Sequence, residues 1–107
     1  SIPENETLSD QIIRYISEHT DTVSLSSIAQ HFAYHPNYIS TLLHQETGRT
    51  FSEILLEQRM DRALSLLQGT SLSIEEIAAM LGYSNSSNFY KAFRKYYGCS
   101  PRKYINT

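Results

Sequence analysis

The chain has 107 residues, a formal charge of −2, 40% hydrophobic residues and one cysteine. That length and apolar fraction suit one globular domain, or two small subdomains that share a core, and exclude a low-complexity or disordered polymer. The longest apolar run, Ile77 to Leu81, is far short of the roughly 18 residues of a membrane span. No signal-peptide pattern opens the chain and Cys99 has no partner for an internal disulfide, so a cytoplasmic protein is expected.

Spacings of three and four between apolar residues recur throughout, and strict alternation is nowhere sustained, which predicts an all-α chain of about seven helices. The first runs over 7–19, with Leu8, Ile12, Tyr15 and Ile16 on one face and a capping box at Thr7-x-x-Asp10. The second, 25–32, carries Leu25, Ile28, Ala29 and Phe32. The third, 36–47, opens on Pro36, turns Ile39, Leu42 and Leu43 inward and closes at Gly48. A longer fourth helix, 51–68, follows the box Thr50-x-x-Glu53, is lined by Leu56, Met60, Ala63, Leu64 and Leu67, and ends at Gly69. The fifth, 74–81, begins with the box Ser73-x-x-Glu76 and buries Ile74, Ile77, Ala78 and Leu81 before Gly82. The sixth, 85–97, places Phe89, Phe93 and Tyr96 inward and stops at Gly98; a short seventh starts at Pro101. Each of the four glycines falls just past a stripe, where a left-handed helix cap is expected.

The chain also repeats itself. Ile28-Ala29, Phe32 and Tyr34 match Ile77-Ala78, Leu81 and Tyr83 at a shift of 49; Ile39, Leu43, Gly48 and Ile54 match Phe89, Phe93, Gly98 and Tyr104 at a shift of 50. Each copy is a short helix with a small buried alanine, a tight turn and a second helix, the pattern of a helix-turn-helix. The predicted organisation is a first helix-turn-helix unit over about 7–48, a linking helix 51–68 and a second unit over about 73–106, in the manner of a doubled homeodomain-like fold. A spacer of roughly 27 Å, at ~1.5 Å per residue, suits two recognition helices entering successive major grooves about 34 Å apart.

Charge follows the same division. Residues 1–83 hold four basic and eleven acidic side chains; residues 84–107 hold five basic and none acidic. A cationic end on an acidic chain points to a polyanion as partner.

The run FSEILLEQRMDRALSLLQGTSLSIEEIAAMLGYSNSSNFYKAFRKYYGCSPRKY closely resembles the AraC/XylS family of bacterial transcription regulators. Its landmarks are Arg59-x-x-x-Ala63-x-x-Leu66-Leu67, Ile77-Ala78, Gly82-Tyr83, Phe89-x-x-x-Phe93 and Gly98-x-Ser100-Pro101-x-x-Tyr104, and the match covers about residues 7 to 105. The resemblance implies a double-stranded DNA-binding domain of a transcription regulator, with helices 36–47 and 85–97 as the readers. It also implies a sensor, receiver or dimerisation domain elsewhere in the full-length protein.

Mapped on the family, Ser86, Ser87 and Lys91 face base edges in the second unit, with Lys91 suited to guanine acceptors and Tyr90 also turned outward. Arg94 and Lys95, with the helix start at Ser84 and Asn85, hold phosphates. In the first unit Asn37, Ser40 and Thr41 face bases, and His35, Tyr38 and His44 lie near the backbone. Between Tyr15 and Gly48 there is no Lys or Arg, and Leu43-His44 stands where the family frequently has Phe-Lys. That neutrality motivates an alternative, a module docking on a protein such as RNA polymerase with little DNA binding.

Other chemistry finds less support. His31 and His35 are four apart, but a turn separates them and no Cys or carboxylate completes a metal site. Glu75 and Glu76 diverge on a helix, and Glu76 already serves a capping box. Cys99 is read as packing, and Arg59 as an internal ion pair on the linking helix. No nucleophile, base and cradle converge, so neither an enzyme nor a cofactor is expected.

Overall fold

The computed structural model describes residues 5–106 and is all helical there. Seven helices follow one another: α1 (Leu8–Glu18), α2 (Leu25–Phe32), α3 (Pro36–Thr47), α4 (Phe51–Gly69), α5 (Ile74–Met80), α6 (Ser86–Tyr97) and α7 (Pro101–Ile105). Every predicted helix is present, with ends displaced by a residue or so. The chain divides into two compact units between Gln58 and Arg59, inside α4.

Local chemistry sets the helix starts. Thr7 and Ser73 each accept the backbone N–H three residues on, while Asp10 and Glu76 accept the cap's own N–H in return. Thr50 and Glu53 make the same exchange. Those bonds hold the Glu76 and Glu53 carboxyls below the usual carboxylate range, since the ionised acceptor is the better one. A fourth box, Ser24 with Ser27, escaped the sequence reading because its third residue is a hydroxyl in place of the usual Glu or Gln.

In the first unit α2 packs on α3, and α1 also meets α3. The core is Ile12, Ile16, Val23, Ile28, Ala29, Ile39, Leu43 and Ile54, closed over by partly buried residues including Tyr15, Phe32 and Leu55. In the second unit α5 packs on α6 and α6 on α7, around Met60, Ala63, Ile77, Ala78, Leu81, Phe89 and Phe93. Burying a side chain of Phe or Leu size contributes about 1.5–3 kcal/mol, so these few residues dominate the stability of each unit. Ala29 and Ala78 lie in the α2–α3 and α5–α6 units, and both are buried, as the repeat requires.

The turn of each helix-turn-helix is closed in the same way. Tyr34 N–H reaches Ala29 O at 2.9 Å, and Tyr83 N–H reaches Ala78 O at 3.0 Å, the six-residue bond of a left-handed cap. Gly82 supplies the positive φ in the second unit; in the first, Ala33 takes φ 62° without being glycine.

Two expectations are corrected. Gly69 closes α4 but lies outside the left-handed region, unlike Gly48, Gly82 and Gly98, because the chain leaves that helix through Thr70, whose hydroxyl caps Leu66 O. Tyr96 is 38% exposed and does not belong to the inward stripe. Tyr97 takes that place, 4.7 Å from the Phe93 ring centroid and 5.1 Å from Tyr104. Steps of three and four both keep to one face of a helix, and the choice between them falls to packing: Tyr97 is the ring on the side of α6 where Tyr104 of α7 lies. Burial pushes the Tyr97 hydroxyl up to about 12, with Asp61 adding to the effect, so it remains a neutral phenol.

Candidate nucleic-acid interface

Helix α6 owes its position to Phe89 and Phe93, both fully buried, which leave the opposite face to solvent. On that face Ser87, Lys91, Arg94 and Lys95 are exposed, with Asn88 beside them. Ser84 and Asn85 are exposed as well, but Asn85 is the N-cap and α6 begins at Ser86. Asn85 Oδ1 accepts Asn88 N–H at 2.8 Å, and Asn88 Nδ2 donates to Ser84 Oγ at 3.1 Å. The amides of Ser86 and Ser87 have no acceptor among the described residues. They therefore sit at the positive end of the helix dipole as free donors, an arrangement that favours an anion.

Two members of the set predicted on α6 are less open than expected. Ser86 and Tyr90 are half-buried. The Tyr90 ring lies against Phe89, 6.3 Å between centroids, and helps to line a cavity of about 380 Å³ with Leu67, Leu72, Arg102 and Ile105. Asn88 was missed by the sequence reading. Its position three residues before Lys91, on the same helical face, was the available signal.

Among the described residues, no carboxylate pairs with the cations of this end. Lys91, Arg94, Lys95, Arg102 and Lys103 are all exposed, and the ion pairs found among the described residues involve other side chains. Arg59, expected in an internal ion pair, has its guanidinium 5.1 Å from the centroid of Tyr83. Desolvation raises the Tyr83 phenol above its ordinary value, and Arg59 draws it partly back.

Helix α3 is set by Ile39 and Leu43, both fully buried. His35, Asn37, Tyr38, Thr41 and His44 are exposed, while Ser40 is half-buried. His35 is the N-cap, and its Nδ1 accepts Asn37 N–H at 3.1 Å. Tyr34, which the sequence reading used only as a repeat marker, is 44% exposed and stacks on Tyr38, 4.9 Å between centroids. The two cations of the first unit are both engaged. Arg14 pairs with Glu6 at 2.7 Å, and Arg49 pairs with Glu57.

By sequence, the first unit has two basic and eight acidic side chains, net −6, and the second seven and three, net +4. One unit thus presents a cationic, donor-rich helix face and the other a neutral one of amide, hydroxyl and ring groups. No cluster of metal-ligating side chains occurs among the described residues, and no helix there is long and apolar enough to cross a membrane.

Comparison with known proteins accords with this geometry. A helix-turn-helix domain model matches residues 28–107. YtdP of Bacillus subtilis (strain 168), an uncharacterized HTH-type transcriptional regulator, is 38% identical over 98 residues, covering 91% of this chain and 13% of that protein. The melibiose operon regulatory protein of Escherichia coli (strain K12) is 30% identical over 95 residues, covering 88% of this chain and 32% of its own length. Among solved structures, the C-terminal domain of AraT, a response regulator from Geobacillus stearothermophilus, superposes with a TM-score of 0.86 at 34% identity, over 94% of this chain and 86% of that one. The chain therefore spans between 13% and 32% of these curated relatives.

Proposed function

The chain belongs to the AraC/XylS family of helix-turn-helix transcription regulators, and from that premise we propose that it binds double-stranded DNA sequence-specifically, seating α3 and α6 in adjacent major grooves. The observation that carries this reading is the exposed face of α6, where Lys91, Arg94 and Lys95 meet no carboxylate among the described residues and stand beside two amides at the helix start that have no acceptor there. Ser86, Ser87 and Lys91 read base edges, with Asn88 near them. Arg94, Lys95 and the amides of Ser86 and Ser87 hold phosphates.

In the first unit Asn37, Ser40 and Thr41 are the base readers. Asn37 is suited to adenine, whose N6 and N7 match a carboxamide. His35, Tyr38 and His44 lie toward the backbone. In the full-length regulator a sensor, receiver or dimerisation domain governs when this domain reaches its site; the greater length of the relatives supports that arrangement. The protein works in the cytoplasm on the nucleoid. No feature of the exposed faces favours RNA polymerase over DNA as the primary partner.

Selection from random duplexes tests the reading. An enriched site contacted over about two helical turns is the expected outcome, since two recognition helices each need a groove face. Failure to enrich any sequence at low salt would refute sequence-specific binding.

A further inference from the structure

We propose that the first unit grips a DNA phosphate through uncharged donors, the phenol hydroxyls of Tyr34 and Tyr38 and the Nε2–H of His35. This contact rests on the DNA reading above and adds affinity without counterion release.

Around the α2–α3 turn the usual anion-binding devices are mostly spent. Both cations of the first unit are held in ion pairs. The first turn of α3 is spent too: Pro36 has no N–H, Asn37 N–H is taken by His35 Nδ1 at 3.1 Å, and the N–H groups of Tyr38 and Ile39 both go to His35 O, at 3.0 and 3.2 Å, which leaves only the N-cap amide of His35 without an acceptor among the described residues. The start of α6 is the opposite case, with the Ser86 and Ser87 amides open. A phosphate meeting the α2–α3 turn therefore depends on neutral donors, the His35 amide and the side chains around it.

Three such side-chain donors are present there, within five residues of turn and helix. Tyr34 and Tyr38 are 44% and 47% exposed, and their rings stack with an interplanar angle of 25°. Neither hydroxyl has a hydrogen-bond partner among the described residues. Stacking restrains both rings before binding, which lowers the entropy lost when the hydroxyls engage a ligand. His35 lies between them in sequence. Because its Nδ1 accepts the Asn37 amide, the neutral ring carries its proton on Nε2 and is a donor there. Hydrogen bonds from neutral donors to a phosphate oxygen are charge-assisted by the anion alone. The ring faces also suit the apolar deoxyribose beside the phosphate.

Such a contact has a signature that a lysine cannot imitate. Each Lys or Arg that neutralises a phosphate steepens the dependence of log affinity on log salt by about 0.9; a phenol displaces no counterion. The test uses the whole chain and its selected duplex, titrated at several salt concentrations. Replacing Tyr34→Phe and Tyr38→Phe together keeps the stacked rings and removes the hydroxyls. Affinity should fall roughly tenfold, by the same factor at low and high salt, with unchanged slope and melting temperature. His35→Asn keeps an N-cap acceptor, removes Nε2–H and should cost a further few-fold. Lys95→Ala is the contrast, with a slope shallower by about 0.9.

Unaltered affinity in the double Phe variant, or a loss that shrinks with salt, overturns the neutral grip and leaves the DNA reading standing. If the unmodified chain selects no duplex, the DNA reading itself fails.

Discussion

Ala33 carries φ 62° in the turn position that the repeat assigns to Gly82, at φ 95°. An L-residue in that region costs about 1–2 kcal/mol, because Cβ crowds the following carbonyl oxygen, and glycine does not. Ala33→Gly should therefore raise stability by about 0.5–1 kcal/mol despite the added freedom of the unfolded chain, and Gly82→Ala should lower it by about 1 kcal/mol. Thermal or urea unfolding reads both, and equal signs for the two variants would contradict the shared turn. Lys91 offers a functional counterpart at the same scale. Exposed, with no carboxylate partner among the described residues, it is proposed to meet a base edge, so Lys91→Ala should relax preference at one base position and cost ~1–3 kcal/mol on the preferred site. A uniform loss over all sequences would make it a phosphate contact. These residues also mark the limit of the sequence. Phe89 and Phe93 were legible as core from their spacing, but that row continues to Tyr97 at the next step of four and leaves Tyr96 exposed. The αL turn at Ala33 could be inferred only through its repeat partner.

Helices were legible where capping chemistry and apolar period agreed. Thr7, Thr50 and Ser73 announce α1, α4 and α5, and the structure makes the bonds they promise. A pH dependence follows from two of them. The Glu53 and Glu76 carboxyls are held below their ordinary value of 4.5, chiefly by the backbone N–H of Thr50 and Ser73. A carboxyl depressed by folding binds its proton more readily in the unfolded chain, so its stabilisation is complete above about pH 4.5 and is lost as pH falls through the folded value. Melting temperature should thus decline on acidification below that pH, and the decline should be smaller in Glu76→Gln, whose amide oxygen still accepts Ser73 N–H. An identical decline in both proteins would separate the box from acid lability. Packing between paired helices was legible too, because a small residue recurs at the crossing. Ala78 is 1% exposed, and Ala78→Leu should destabilise the second unit by about 1–3 kcal/mol through overpacking. Side-chain partners were less legible. The Arg59–Tyr83 contact joins residues 24 positions apart, and the stack of Tyr34 on Tyr38 depends on a turn whose rotamers no period encodes.

At the scale of the molecule, charge is what the sequence exposed most directly, and it yields a prediction about DNA affinity as a whole. The second unit, net +4, supplies the exposed cations Lys91, Arg94, Lys95, Arg102 and Lys103, while the first, net −6, has none outside an ion pair. Four or five phosphates neutralised by these cations give a slope of log affinity against log salt of about −4. The first unit should contribute almost none of it. His44 allows that to be tested by gain. It is exposed on α3 and is the repeat partner of Arg94, at the position where the family frequently carries Lys. Glu53, whose carboxyl feels His44, is already bonded to Thr50 and is a poor competitor for a new cation. If α3 lies against the duplex, His44→Arg places a guanidinium within reach of a phosphate. Affinity should then rise several-fold at low salt, the gain should fade as salt screens it, and the slope should steepen by about 0.9. Preference among sequences should stay as it was, because a phosphate contact carries no base information. An unchanged slope, measured by salt titration on the selected duplex, would mean that α3 does not approach the DNA backbone and that the second unit binds alone.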